Sequence, residues 1–167
     1  MFGGFEGTRP ETGAMTAVWA CMTVALFVLA ACGGPPSGPT MVVGGNQVIG
    51  IGGRCLDVEG GGDGGGTPLI TFRCHRSPNQ SWLVGGGQVV GIGGNCLDVQ
   101  GGAPVNGVQA VLNPCNGAPS QKWNIANGTI VGIGGKCLDV LNEAVGDRVP
   151  VILAPCDGQP GQQWALE

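Results

Sequence analysis

Residues 71–82, Thr-Phe-Arg-Cys-His-Arg-Ser-Pro-Asn-Gln-Ser-Trp, bring together Phe72, His75, Asn79 and Gln80, and Asp57 lies in the Cys-Leu-Asp-Val stretch upstream. Phe72 offers a flat apolar face, Asn79 a donor and an acceptor, and Asp57 an acceptor only. These groups suit non-covalent recognition of a polar ligand. Bond breaking would need paired carboxylates, or a nucleophile with its base, in one cleft. The only histidine is His75, and the comparable acids Asp57, Asp98 and Asp139 belong to different copies of a repeat. No close Cys or His spacing suggests zinc, and the Gly-Ile-Gly-Gly segments precede strands, unlike a phosphate loop. The expectation is therefore no catalytic residue, no metal and no cofactor.

Related stretches recur at Leu112–Trp123 and Leu153–Trp164, and the whole unit repeats with a period of 41 residues. Gly-Ile-Gly-Gly-x-Cys-Leu-Asp-Val places Cys at 55, 96 and 137; a second Cys follows at 74, 115 and 156; Trp closes each unit at 82, 123 and 164. No copy needs a gap. Each unit reads as about four short strands, including Gln47–Gly53, Cys-Leu-Asp-Val and Pro68–Cys74 in the first copy, separated by turns such as Asp63-Gly64, Asn106-Gly107 and Asn127-Gly128. One such unit cannot bury its apolar side, so three must close around a shared core. Setting aside Cys21 and Cys32, the period favours the pairs Cys55–Cys74, Cys96–Cys115 and Cys137–Cys156, each worth about 3 kcal/mol in the chain-entropy account.

Composition agrees with a small all-β domain. Gly and Pro are abundant, but 43% of residues are hydrophobic and only 11% charged, so a core is affordable. A net charge of -4 without a basic run gives no electrostatic footprint for nucleic acid. The apolar run Met15–Ala31 ends in Leu-Ala-Ala-Cys and reads as an export signal over residues 1–31, followed by a flexible linker over 32–40. Leu29–Cys32 resembles the lipobox of bacterial lipoproteins, which makes Cys32 a lipidation candidate. The protein is then expected at the cell envelope or surface, touching membrane only through that lipid. A plain cleaved signal, giving a secreted protein, or an uncleaved anchor remain alternatives.

The three Cys-Leu-Asp-Val segments, the 19-residue Cys spacing and the closing Gln-x-Trp triplets (Gln80 and Trp82, Gln121 and Trp123, Gln162 and Trp164) resemble the ricin B-chain type lectin domain over about residues 41–167. The resemblance implies a β-trefoil of repeats at about 44–84, 85–125 and 126–167. It also implies one possible sugar pocket per repeat, with galactosides or xylan-like glycans as ligands; a non-catalytic, monomeric lectin is expected. The family's five pocket positions fall on Asp57, Ile70, Phe72, Asn79 and Gln80; on Asp98, Val111, Asn113, Ser120 and Gln121; and on Asp139, Ile152, Ala154, Gly161 and Gln162. Only the first set has the aromatic and the Asn. The second is compromised, and the third is expected to be silent.

Strand alternation puts Leu69 and Thr71 on the core face and Ile70 and Phe72 on the other. Phe72 then serves as a platform for the apolar face of a sugar, or covers the disulfide. Asp57 contacts sugar hydroxyls or steadies a turn; Asn79 binds a hydroxyl or is a turn residue after Pro78. The three Gln residues occur in every copy and so also suit satisfying backbone groups, as the Trp residues suit the core. His75 adds a hydrogen bond or is merely solvated. A trefoil without sugar binding, serving protein interaction, is the alternative function.

Overall fold

The computed structural model describes residues 45–167. The export segment, the linker and Cys32 lie outside the described residues. Twelve strands form: β1 (Val48–Gly50), β2 (Arg54–Val58), β3 (Thr67–Arg73), β4 (Leu83–Gly85), β5 (Gln88–Val90), β6 (Cys96–Val99), β7 (Ala110–Asn113), β8 (Asn124–Ala126), β9 (Thr129–Val131), β10 (Cys137–Val140), β11 (Val149–Ala154) and β12 (Ala165–Leu166). That is four per repeat, all paired antiparallel. The Gly-Ile-Gly-Gly segment, read above as the end of a strand, is instead a tight 3-10 turn between the first and second strands of each repeat. Its central glycines have positive φ, for example Gly52 at 65° and Gly53 at 67°, which ends a strand.

Within a repeat the second and third strands form a hairpin, as in the register Cys55↔Phe72, Leu56↔Thr71 and Asp57↔Ile70. Between repeats the third strands meet: β3 pairs with β7 at Thr67↔Leu112 and with β11 at Val149↔Thr71, and a bridge at Gln109↔Ile152 completes the triangle. Gln109 Nε2 lies 2.7 Å, 3.2 Å and 3.0 Å from the carbonyl oxygens of Leu69, Ala110 and Val151, one from each repeat. The repeats are therefore joined by hydrogen bonds at their axis. Ends meet as well, with β1 pairing β12 at Val48↔Leu166. These pairings make a β-trefoil.

The core takes Leu, Val and Trp from all three repeats, including Leu56, Leu69, Trp82, Leu97, Leu112, Trp123, Leu138, Leu153 and Trp164. Leu69 and Thr71 are fully buried, as alternation required. Each indole donates to the carbonyl of the Leu in Cys-Leu-Asp-Val of its own repeat: Trp82 to Leu56 at 3.0 Å, Trp123 to Leu97 at 2.9 Å and Trp164 to Leu138 at 3.0 Å. The same ring lies on the Gly that precedes Ile-Gly-Gly in the next repeat. A Cβ added to Gly91 would lie 2.6 Å from Trp82 and on Gly50 2.7 Å from Trp164, and on Gly132 it would collide with Trp123 in the same way. The disulfides are Cys55–Cys74, Cys96–Cys115 and Cys137–Cys156, the pairs the period favours.

Gly132 has φ of -115°, so only space forbids a side chain there. Gly132→Ala should therefore cost about 1–3 kcal/mol by overpacking. At Gly94 an added Cβ meets nothing within 4 Å but φ is +74°, so Gly94→Ala should cost only backbone strain, about 1 kcal/mol. Urea denaturation of the two variants beside the native domain measures the difference; equal losses would refute the Trp contact as the cause.

Candidate functional site

In the second strand of each repeat the Asp directly follows the core Leu whose carbonyl the indole holds, so the Asp side chain points away from the core. Asp57, Asp98 and Asp139 are nonetheless buried, at 3%, 5% and 7% exposure. A buried carboxylate needs partners, and the Gln of Gln-x-Trp supplies one in every copy. Gln80 Nε2 donates to Asp57 at 2.7 Å, Gln121 to Asp98 at 3.0 Å and Gln162 to Asp139 at 3.0 Å. The other side of each amide is bound to the backbone after the third strand: Gln80 Nε2 also reaches the Arg73 carbonyl, and Gln80 Oε1 accepts from the His75 N–H. Gln121 and Gln162 repeat this with Pro114 and Asn116, and with Pro155 and Asp157. All three glutamines are fully buried. As direct ligand contacts Gln80, Gln121 and Gln162 are thus corrected: they orient the carboxylates and have no surface to offer.

The copies differ in what covers the carboxylate. In the first, Asn79 Nδ2 donates to Asp57 Oδ1 at 2.9 Å and to the Val58 carbonyl at 3.3 Å, which leaves Asn79 Oδ1 as an available acceptor. Asp57 is therefore held by side chains, not used to steady a turn. His75 Nε2 lies 3.3 Å from Asp57 Oδ2, while its Nδ1 accepts from the Ser77 N–H. The His75 ring meets Phe72 edge-on at 5.9 Å between centroids, and Arg73 places its guanidinium carbon 5.3 Å from the Phe72 centroid. Asp57, Gly60, Gly61, Ile70, Phe72, His75, Asn79 and Arg148 line an open pocket of about 160 Å³. That is less than the roughly 300–1,000 Å³ of pockets that enclose drug-sized ligands, so it offers one face to a ring. A second cavity of about 240 Å³, lined by Gly45, Gln47, Arg76, Ser77, Gln80, Ser81 and Glu167, holds no aromatic side chain and abuts the first described residue.

In the second repeat Asn113 stands where Phe72 does, and both ends of its amide are used: Nδ2 donates to Asp98 at 3.0 Å and Oδ1 accepts from the Gly66 N–H at 2.8 Å. The Val99 N–H also binds Asp98, at 2.7 Å. In the third repeat Gly161 replaces Asn79, and the vacated space holds Glu143, whose carboxylate accepts from the Gly161 N–H. A Cβ on Gly161 would lie 2.6 Å from Asp139 Oδ1 and 3.0 Å from either Glu143 oxygen. Asp139 Oδ1 is buried without a hydrogen-bond partner among the described residues.

The site therefore contains residues outside the sequence-based set. Arg148 reaches the first-repeat pocket from the third repeat, and Glu143 fills the third-repeat position. Both have positive φ, 62° and 55°, at places where the other copies have glycine: Gly66 and Gly107, and Gly61 and Gly102. Comparing copies for lost glycines would have found them.

The sequence profile of the ricin-type beta-trefoil lectin domain matches residues 46–167. The chain belongs to this family. The domain is accordingly a carbohydrate-binding module in kind. It is similar in structure to a designed threefold-symmetric protein, ThreeFoil (28% identity, 72% of this chain and 96% of that one, TM-score 0.67). It is also similar to an exo-beta-1,3-galactanase from Clostridium thermocellum (25%, 74% and 30%, 0.67) and to the agglutinin from Abrus precatorius (23%, 72% and 47%, 0.65). The domain thus spans under half of the agglutinin and less than a third of the galactanase. No curated protein matches it in sequence.

Electrostatics separate the first two lectin repeats. Burial pushes the Asp57 carboxyl above its ordinary value, and the hydrogen bonds of Gln80 and Asn79, with His75, do not cancel that. Burial acts the same way on Asp98, but bonds from Ser120, Gln121, Asn113 and the Val99 N–H outweigh it and hold Asp98 below the ordinary value. Asp57 binds its proton more tightly folded than unfolded, so its contribution is present at low pH and is lost as pH rises through the raised value. For Asp98 the contribution is present above the ordinary carboxylate value of about 3.9 and is lost as pH falls through the lowered one. Melting temperatures between about pH 2.5 and 7 should accordingly rise less steeply with pH in Asp98→Asn than in the native domain, and more steeply in Asp57→Asn. Parallel curves for all three proteins would contradict the assignment.

Proposed function

We propose that the protein is a non-catalytic lectin that binds a galactoside or xylan-like glycan mainly through its first repeat. The observation that carries this reading is that only the first repeat combines an open pocket, an aromatic side chain and an amide acceptor not consumed by the scaffold. A sugar ring has one face of C–H groups and a rim of hydroxyls. Phe72 takes the face, Asn79 Oδ1 accepts from a hydroxyl, and Asp57 beneath them fixes Asn79. The second repeat turns its amide inward through Asn113, and the third is filled by Glu143, so Asp98 and Asp139 serve the frame there. The likeness to an exo-beta-1,3-galactanase supports a galactoside as the first ligand to test. One shallow site gives an affinity near ~1 mM, about -4 kcal/mol. Many copies displayed on a surface raise the avidity.

A lipid on Cys32 would provide that display, holding the lectin at the cell envelope. Mass spectrometry of the mature N-terminus is expected to find a diacylated or triacylated Cys32; a start at any other residue, unmodified, would replace this with plain secretion.

Calorimetric titration of a glycan panel, then of Phe72→Ala with the best ligand, tests the site. Loss of the platform should weaken binding about tenfold or more, since 1.4 kcal/mol is within the reach of one aromatic contact. Unchanged affinity in a folded Phe72→Ala would remove Phe72 as the platform. No binding by any glycan, with a protein partner recovered, would favour the interaction module.

A further inference from the structure

Of the four arginines among the described residues, Arg148 lines the first-repeat pocket and Arg73 lies over its Phe72 ring, while Arg54 pairs with Asp147 and Arg76 lines the second cavity, in a chain whose net charge is -4. Arg76 and Arg148 share a further property. Each has positive φ, 57° and 62°, where the other two repeats carry glycine: Gly117 and Gly158 for Arg76, Gly66 and Gly107 for Arg148. A left-handed conformation costs a side-chain-bearing residue about 1 kcal/mol or more. Glycine would avoid that cost, and the symmetry-related loops fold with it.

Nothing in the packing of Arg148 offsets this strain. Its N–H donates to the Thr71 carbonyl at 2.7 Å, a bond glycine would make equally well. Its side chain is 70% exposed, with Nη1 at 3.6 Å from Glu59 Oε1, and so exposed a pair adds little stability. The backbone bond does fix where the side chain starts, and from there it enters the pocket beside Phe72, Asn79 and His75. The acids nearby are already engaged: Asp57 by Asn79, Gln80 and His75, and Asp147 by Arg54 and Arg73. Among the described residues Glu59 alone pairs with Arg148.

We propose that Arg148 makes the first-repeat pocket selective for an acidic sugar, one bearing a carboxylate on the ring beside its hydroxyls, as in a uronic acid. The planar guanidinium matches a carboxylate with two parallel N–H···O bonds, displacing Glu59, while Phe72 and Asn79 hold the ring. This rests on the reading of that pocket as the sugar site and adds the charge of the ligand to it.

Two matched pairs of probes test it: galactose against galacturonate, and xylose against glucuronate, each pair differing only in the substituent on C5. Titrations by amide chemical-shift perturbation at low salt would be run on the native domain and on Arg148→Gly, which takes the residue already present at 66 and 107. In the native domain at least one uronate should bind about five- to tenfold more tightly than its neutral partner. In Arg148→Gly that ratio should fall to near one, and the melting temperature should not fall, because strain is relieved. Equal binding of acid and neutral sugar by the native domain, or an unchanged ratio in Arg148→Gly, overturns the proposal while leaving a neutral-sugar lectin standing. No perturbation at Phe72 or Asn79 with any of the four probes removes the sugar site itself, and the proposal with it.

Discussion

The contact on which the rest of the structure depends is the indole that closes each repeat. It has two obligations at once: its N–H must reach the Leu carbonyl 26 residues back in its own repeat, and its ring must lie on a glycine of the next. The first ties a repeat to itself and the second ties it to its neighbour, with Trp164 on Gly50 closing the circle. Keeping both contacts in all three copies ties the Leu, the Trp and the glycine to one shared arrangement. That is a physical reason for a period of 41 residues kept without a gap, and for glycines at Gly50, Gly91 and Gly132 whose φ values are ordinary for any residue.

The site follows from that contact by short steps. Holding the Leu carbonyl inward turns the next side chain, Asp, outward yet under cover. The Gln two residues before the Trp is carried to the same place and satisfies the carboxylate. Asp and Gln therefore recur in all three copies whether or not the copy has an open pocket, and their presence says nothing about binding. What distinguishes the copies is the group that takes the remaining carboxylate oxygen or the space above it: an amide with a free oxygen in the first, an inward-turned amide in the second, a second carboxylate in the third. One frame thus ends in three different surfaces.

Much of this was legible in the chain. The period fixed the number of units and the cysteine pairs, and alternation along Leu69–Phe72 fixed which side faces the core, because both depend on local spacing. The Gly-Ile-Gly-Gly turn was misjudged as strand because apolar Ile51 disguises two glycines whose positive φ ends the pairing. The 3.3 Å approach of His75 to Asp57 is not readable from spacing, because it depends on how the loop after Cys74 folds back. Arg148 was not legible from the first repeat at all. It lies 69 residues beyond Asn79 and reaches the pocket because β11 pairs with β3 across the repeat boundary at Val149↔Thr71, a tertiary fact.

The same boundary explains where such a fold can acquire specificity. Core positions are constrained by the Trp clamp and carboxylate positions by the Gln, so neither is free to vary. The left-handed loop positions that match Arg76, Glu143 and Arg148 are different: the other repeats fill them with glycine, and a Cβ added to those glycines meets nothing closer than 3.7 Å, so a side chain there costs a modest strain but disturbs no packing. Arg76, Glu143 and Arg148 are the residues other than Asn that have accepted this strain. One of them fills the third-repeat position and another reaches into the open pocket of the first. Departures from glycine symmetry, more than departures from the Gln-x-Trp pattern, therefore mark where the three repeats have been set to different tasks.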